Sequence, residues 1–440
     1  MSEESKRGAN VGSGIQRFAR THRFLGWTLL FWVLVAGCTL YDSRLSSNSE
    51  KWRIRNDFTN YTLAASKAIL RGENPYTPDN LDGHKYRYFP LNAVVYFPLA
   101  GLPIPLAQGV WAAVNLMLLI FALRALSDLM GSGKTPLVVW VAALAIAGRF
   151  IHTNFKLGQW NLPVFSLSVL GLWLVCCKRY FWRGGGVLAL AGALKFMPFG
   201  FFFYFAVKRQ WRVCGAMLAG VLFWILIFPT LALGVHRHQE LLHTYLNKSG
   251  KWGSQQVASG NKLRGHSLAV LIKVYLSPCE QDGDRGEKGG AINLVNMDYR
   301  SAAHISLLVC SLLLLLTLWT AGRNGPPITP SPRLGAEIAA MFMLFLLISP
   351  EVLDPQFLTT FVAAFVLAGV WRGNTLPSSE RWVCCAGLVI AFLLILQSTS
   401  LGPQRLRDWS VLHGSLTLVI GILYALSLTA AWRLRAAEKR

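Results

Sequence analysis

A few residues in this chain stand where their side chains could do chemistry. Asp57 opens the stretch Asn56-Asp57-Phe58-Thr59-Asn60-Tyr61, in which Phe58, Tyr61, Ala65, Ala68 and Ile69 recur at helical spacing until Gly72 and Pro75 end the pattern. The spacing predicts a helix lying on a membrane surface with the aspartate at its start. There an aspartate serves either as an N-cap or as a general base, and asparagine would replace it only in the first role. Lys195 interrupts an apolar segment at Lys195-Phe196-Met197-Pro198. A cation inside such a segment costs a few kcal/mol to insert and either marks a functional site or snorkels to a helix-end carbonyl. Gln159 and Asn161 are uncharged hydrogen-bonding residues just ahead of another apolar run, suited either to capping it or to holding hydroxyls.

The elements that must position these residues follow from composition. Of 440 residues, 53% are hydrophobic and 15% charged, where a soluble chain carries about a quarter charged. Apolar runs cover 24–41, 105–126, 136–151, 160–177, 213–233, 301–321, 334–349, 356–371, 382–399 and 409–432. A span needs roughly 20 residues, and in lipid the backbone must satisfy itself, so the expectation is an all-α polytopic membrane protein with about ten full spans plus re-entrant or partial helices. Residues 1–22 and 433–440 read as cytoplasmic basic tails. Residues 23–432 read as a single transmembrane domain with external loops at about 42–90 and 234–300.

The short connections Lys178-Arg179 to Arg183, Lys208-Arg209 to Arg212, Arg323 to Arg333 and Arg372 to Arg381 share one side with the basic C-terminus if the N-terminus is cytoplasmic. The chain must then enter and return within 184–207. Each arm holds about 12 residues, or some 18 Å of helix, too short to cross. This predicts a broken hairpin with Lys195 at its tip. Residues 89–103, punctuated by prolines, read as a second partial insertion.

Several patterns are set aside. The net charge of +22 sits mainly at helix ends, and no nucleic-acid-binding signature accompanies it, so nucleic acid is not expected as a partner. Val35-Ala36-Gly37-Cys38 resembles a lipoprotein box but reads as the end of a first membrane helix. Gly131-Ser132-Gly133-Lys134-Thr135 lacks the glycine a phosphate-binding loop needs at position 128 and the strand before it, and reads as a cytoplasmic turn. His236, His238 and His243 read as a solvated loop rather than a metal site. The cysteines suggest no disulfide framework.

The run DFTNYTLAASKAILRGENPY, followed by KYRYFPLNAVVYFPLAGL, NFKLGQWNLPVFSLSVLGLWLV and LALAGALKFMPFGFFFYFAVKRQWR, resembles in order the first half of glycosyltransferase family 87. These are GT-C-fold, polyprenyl-phosphate-mannose-dependent mannosyltransferases. The resemblance implies that Asp57 takes the proton from an acceptor hydroxyl as its oxygen attacks the anomeric carbon, with inversion and polyprenyl phosphate leaving. Lys195, Arg264 and Lys262 would then meet the donor phosphate. Gln159, Asn161, Tyr61, Tyr76 and His266 would serve sugar or acceptor, and no metal or other cofactor is expected.

The downstream half departs from the family. Glu351-Val352-Leu353-Asp354-Pro355-Gln356-Phe357 follows Ser349-Pro350 where an aromatic, histidine-bearing stretch is expected, and Gly265-His266-Ser267-Leu268 replaces Asn-Gln-Ser-Leu. The expectation is a multi-pass plasma (inner) membrane transferase acting on its extracytoplasmic side, with membrane lipid, a lipid-linked donor and a glycolipid or glycan acceptor as partners. Mannose is the family default, with arabinose or glucose as other sugars. A transporter or lipid-linked-oligosaccharide flippase is the competing class. It would more often show repeat symmetry and paired intramembrane charges.

Overall fold

The computed structural model describes residues 57–77, 86–131, 135–258, 262–263, 265–278, 280–281, 293–323, 325, 328–350, 352–398 and 414–438. Of the apolar runs, only the first, at 24–41, lies outside them. Arg264 lies outside too, and of Lys262 only the backbone is described.

The protein is an all-α polytopic membrane protein. Among the described residues, seven helices are long and apolar enough to cross a bilayer: Ile104–Leu129, Leu137–Leu157, Trp211–Leu233, Tyr299–Arg323, Asp354–Arg372, Ser378–Gln397 and Ser415–Ala437. Two further expected spans form shorter helices, Asn161–Cys176 and Pro332–Ile348. Every residue from Leu334 to Leu347 is buried, so Pro332–Ile348 is a core helix, apolar on all sides because protein surrounds it. It packs against Thr360–Arg372 and Ser415–Glu438. On the outside, Leu106, Met117 and Phe121 of one helix and Leu307, Leu308 and Leu312 of another are more than half exposed. Such a surface fits the hydrocarbon of a bilayer.

The broken hairpin is present. Phe181–Leu194 runs in, the backbone turns extended at Lys195 (φ −155°, ψ 121°), a short 3-10 turn spans Met197–Phe199, and Gly200–Val207 returns. The inward arm lies close against its neighbours through glycine. A Cβ on Gly184 would meet Val175 at 2.5 Å, and one on Gly185 would meet Ala216 at 2.5 Å. Small residues at these positions are what allow helices to approach in lipid. Both ends of the hairpin lie at one end of the bundle. At the entry, the Tyr180 N–H donates to the Leu174 carbonyl. At the exit, Lys208 Nζ lies 2.8 Å from Glu337 Oε2, both side chains 3% exposed, and the Tyr204 hydroxyl donates to the same carboxylate at 2.8 Å. Glu337→Gln would leave Lys208 charged and unmatched in a buried place, a loss of about 3–5 kcal/mol. Thermal unfolding in detergent should show a clearly lowered midpoint, and an unchanged midpoint would refute this anchoring.

Two expectations change. Residues 58–69 do form a helix, opening with a wide π turn, Phe58–Leu63, and continuing as Ala64–Leu70. Its apolar stripe meets protein rather than lying on a lipid surface. Phe58, Ala65, Ala68 and Ile69 are buried, and the Ser66 hydroxyl donates to the Ala93 carbonyl of the Pro90–Val95 helix at 2.6 Å. The stretch 234–300 contains the helices Val235–Ala258 and Leu268–Leu276. All three histidines therefore lie on a helix instead of a loop. His238 is buried against the Thr230 hydroxyl at 2.8 Å. The Val235–Ala258 helix is rich in polar residues, so hydropathy alone does not reveal it. It is held by Leu241 and Tyr245 packing on the Tyr76–Tyr86 cluster.

Candidate active site

The aspartate does not cap its helix. Asp57 already has helical dihedrals (φ −64°, ψ −26°) and its side chain makes no capping hydrogen bond. Its Oδ2 instead accepts a hydrogen bond from Gln159 Nε2, across 102 residues of sequence.

Gly158 makes this meeting possible. The Leu137–Leu157 helix ends with Gly158 in the left-handed region at φ +63°, where its N–H and that of Gln159 both donate to the Asn154 carbonyl. A Cβ at position 158 would fall 2.7 Å from the Phe58 Cβ. Glycine thus serves both the turn and the close approach that sets Gln159 beside Asp57. Trp111 Nε1 donates to the Gly158 carbonyl at 3.1 Å. Beneath the turn, Phe58, Tyr96, Trp111 and Trp160 form a buried aromatic floor, with ring centroids 4.7–6.2 Å apart across its contacts.

Gly72 offers a control. It also has a left-handed φ, +80°, but nothing lies within 4 Å of where its Cβ would be. Both Gly→Ala changes carry the left-handed cost of about 1–2 kcal/mol. Only Gly158→Ala also presses on Phe58, the residue next to Asp57. Gly158→Ala should therefore melt lower and lose at least tenfold more activity per folded molecule than Gly72→Ala; equal specific activities would show that the approach at Gly158 does not matter.

From Gln159 the contacts continue. Asn161, at the start of the Asn161–Cys176 helix and 7% exposed, donates from Nδ2 to Gln159 Oε1 at 2.6 Å. Its Oδ1 accepts from Lys195 Nζ. The hairpin tip is itself fastened where its first arm stops, since Asn92 Nδ2 donates to the Leu194 carbonyl at 3.0 Å. A single hydrogen-bonded row therefore runs Lys195–Asn161–Gln159–Asp57, gathering the loop helix, the Gly158 turn, a helix start and the hairpin tip. Each amide accepts from the ammonium side and donates toward the carboxylate. Its dipoles thus align between the two charges, and such a chain strengthens cooperatively.

The other expected residues that the structure describes are Tyr61, Tyr76 and His266. Tyr61 is half-buried on the loop helix. Tyr76 is buried, its hydroxyl donates to the Tyr88 carbonyl at 2.8 Å, and its ring packs on Tyr86 and Tyr245. Burial pushes its phenol well above the usual tyrosine range. These contacts give it a packing role. His266 is buried, with Nε2 3.5 Å from Asp354 Oδ1. Arg149 Nη2 approaches the other oxygen of Asp354 at 3.4 Å. Sequence reasoning passed over Arg149, although a lone arginine inside the 136–151 apolar run carries the same signal that singled out Lys195.

Residues 86–276 match the family model of glycosyltransferase family 87. That range holds Gln159, Asn161, Lys195 and His266, and Asp57 precedes it. The chain is similar to a polyprenol-phosphate-mannose-dependent alpha-(1-2)-phosphatidylinositol mannoside mannosyltransferase of Mycobacterium tuberculosis, 29% identical over 46% of this chain and 50% of the relative. The protein of that name from Mycolicibacterium smegmatis is 31% identical over 28% of this chain and 31% of its own. A phosphatidylinositol pentamannoside mannosyltransferase of the same organism is 28% identical over 44% and 48%. The alignments thus cover half or less of the length of these relatives. No solved structure matches the chain.

Proposed function

We propose that this chain, a member of glycosyltransferase family 87, transfers a sugar from a polyprenyl-phosphate carrier to a hydroxyl of a glycolipid or glycan acceptor on the extracytoplasmic side. The observation that carries this reading is the row joining Asp57 to Lys195 through Gln159 and Asn161. In the proposed step the acceptor hydroxyl gives its proton to the Asp57 carboxylate as its oxygen bonds to the anomeric carbon. The bond from that carbon to the phosphate oxygen breaks on the opposite face, its electron pair leaves with the polyprenyl phosphate, and the configuration inverts.

The leaving group is a stable anion and asks for a positive charge beside it, with no need of a nucleotide-binding fold. Lys195 supplies one, beside the N-terminus of the Asn161–Cys176 helix, whose dipole also favours negative charge. Gln159 and Asn161, expected to hold sugar hydroxyls, have a different part in this mechanism: they orient the base and the ammonium. Mannose and a phosphatidylinositol mannoside-like acceptor follow the names of the relatives.

The basic residues Lys178, Lys208, Arg333 and Arg372 gather at the end of the bundle marked by Met130, away from the Gln159 turn. This supports cytoplasmic termini and an outward-facing site.

The direct test supplies the purified protein with labelled polyprenyl-phosphate-mannose and a panel of glycolipid and glycan acceptors. Labelled acceptor is the expected product. In liposomes, translocation of the lipid-linked sugar without transfer would instead identify a flippase.

A further inference from the structure

The second polar cluster lies on the same helix as the Gly158 turn. Arg149 is carried by the Leu137–Leu157 span, eight residues before its end, or about 12 Å along the axis. Its Nη2 faces Asp354 Oδ2 at 3.4 Å and its Nη1 donates to the Ser398 carbonyl at 3.3 Å. Asp354 opens the turn Asp354–Thr359, and its other oxygen faces His266 Nε2 at 3.5 Å. Both flanks are braced. The His266 N–H donates to the Val352 carbonyl at 2.8 Å, the Thr417 hydroxyl to the His266 carbonyl at 3.0 Å, and Asn154 Nδ2 to the Pro355 carbonyl at 2.6 Å.

The backbone is fixed, yet the charged contacts are slack. A charge-assisted pair that only staples a fold closes to about 2.7–2.9 Å, and a pair taken out of water needs such geometry to offset its desolvation. Here the side chains stand at 3.4–3.5 Å and remain open, Asp354 38% exposed and Arg149 26%. Ionisable groups in a membrane span by default mark a substrate path.

The chemistry of the cluster selects the ligand. A guanidinium is donor-only and a carboxylate acceptor-only, set side by side with charges that cancel. An anion would be drawn by Arg149 but repelled by Asp354. Vicinal hydroxyls of a sugar ring, each both donor and acceptor, satisfy the two together. We infer that Arg149 and Asp354, backed by His266, form a subsite for the hydroxyls of an acceptor sugar, holding the glycan upstream of the hydroxyl presented to Asp57. The assignment of that sugar to the acceptor rests on the transferase reading above; the binding of a polyol does not.

Binding of mannobiose and mannotriose to the purified full-length protein, without donor, is read from its tryptophan fluorescence. Wild type should bind the oligosaccharide, and Asp354→Asn and Arg149→Gln should each weaken binding at least tenfold. Arg149→Lys retains a cation against Asp354, so the fold is held, but loses the fork, and it should weaken binding similarly. Inorganic phosphate should not compete. No binding by wild type, unchanged affinity in Arg149→Lys and Asp354→Asn at wild-type melting temperature, or displacement by phosphate would each overturn the subsite. Protein that binds mannotriose but transfers no mannose would instead sink the transferase reading and leave the subsite standing.

Discussion

Asp57→Asn is expected to reduce sugar transfer by roughly 10²–10⁴-fold, the usual weight of a general base, while the protein folds and melts as before. The structure makes this a clean substitution. The side chain does not cap its helix, so no helix-end contact is lost. The asparagine oxygen can still accept from Gln159 Nε2, which keeps the loop helix seated against the Gly158 turn. What disappears is the negative charge and, with it, the ability to take a proton. The measurement is the initial rate of labelled-sugar transfer, together with a thermal melt in the same detergent. A D57N protein that transfers at the wild-type rate would remove Asp57 from the chemistry altogether.

Lys195→Met is expected to cost roughly 10²–10³-fold in kcat, the range for removing one preorganised group that stabilises developing charge. Its effect on stability should have the opposite sign to its effect on rate. A lysine in an apolar segment is costly to insert, and methionine of similar length removes that cost together with the hydrogen bond to Asn161. A melting temperature at or above wild type, with activity lost, identifies a residue kept for chemistry. If activity and stability fell in proportion, Lys195 would be a structural staple of the hairpin tip.

The helical scaffold was legible because hydropathy is a local property. Nine of the ten apolar runs correspond to helices, and the two charged groups at the hairpin exit and tip follow from counting residues between basic connections. The Val235–Ala258 helix was not legible, since it is held by a few inward side chains such as Leu241 and Tyr245 rather than by an apolar length. For the site, residue types singled out Asp57, Gln159, Asn161 and Lys195, which the structure brings together, but did not reveal how they meet. Asp57 and Gln159 are 102 residues apart, and Asn161 and Lys195 are 34 apart. No spacing rule spans such gaps. The glycine of Gly158-Gln159-Trp160-Asn161 gained meaning only once Phe58 was found against it. Arg149 carried a local signal, a lone charge in an apolar run, but its pairing with Asp354 joins segments 205 residues apart and no motif announces it.

The alignment of the two amides has a stereochemical consequence. Gln159 turns its oxygen toward Asn161 and its NH₂ toward Asp57, and Asn161 repeats that sense toward Lys195. The row is therefore a vector with unlike poles. A lipid-linked sugar laid on it backwards would set phosphate against carboxylate. On the proposed transferase reading, head and tail would thus be sorted before any bond breaks, and one face of the ring would be offered for attack.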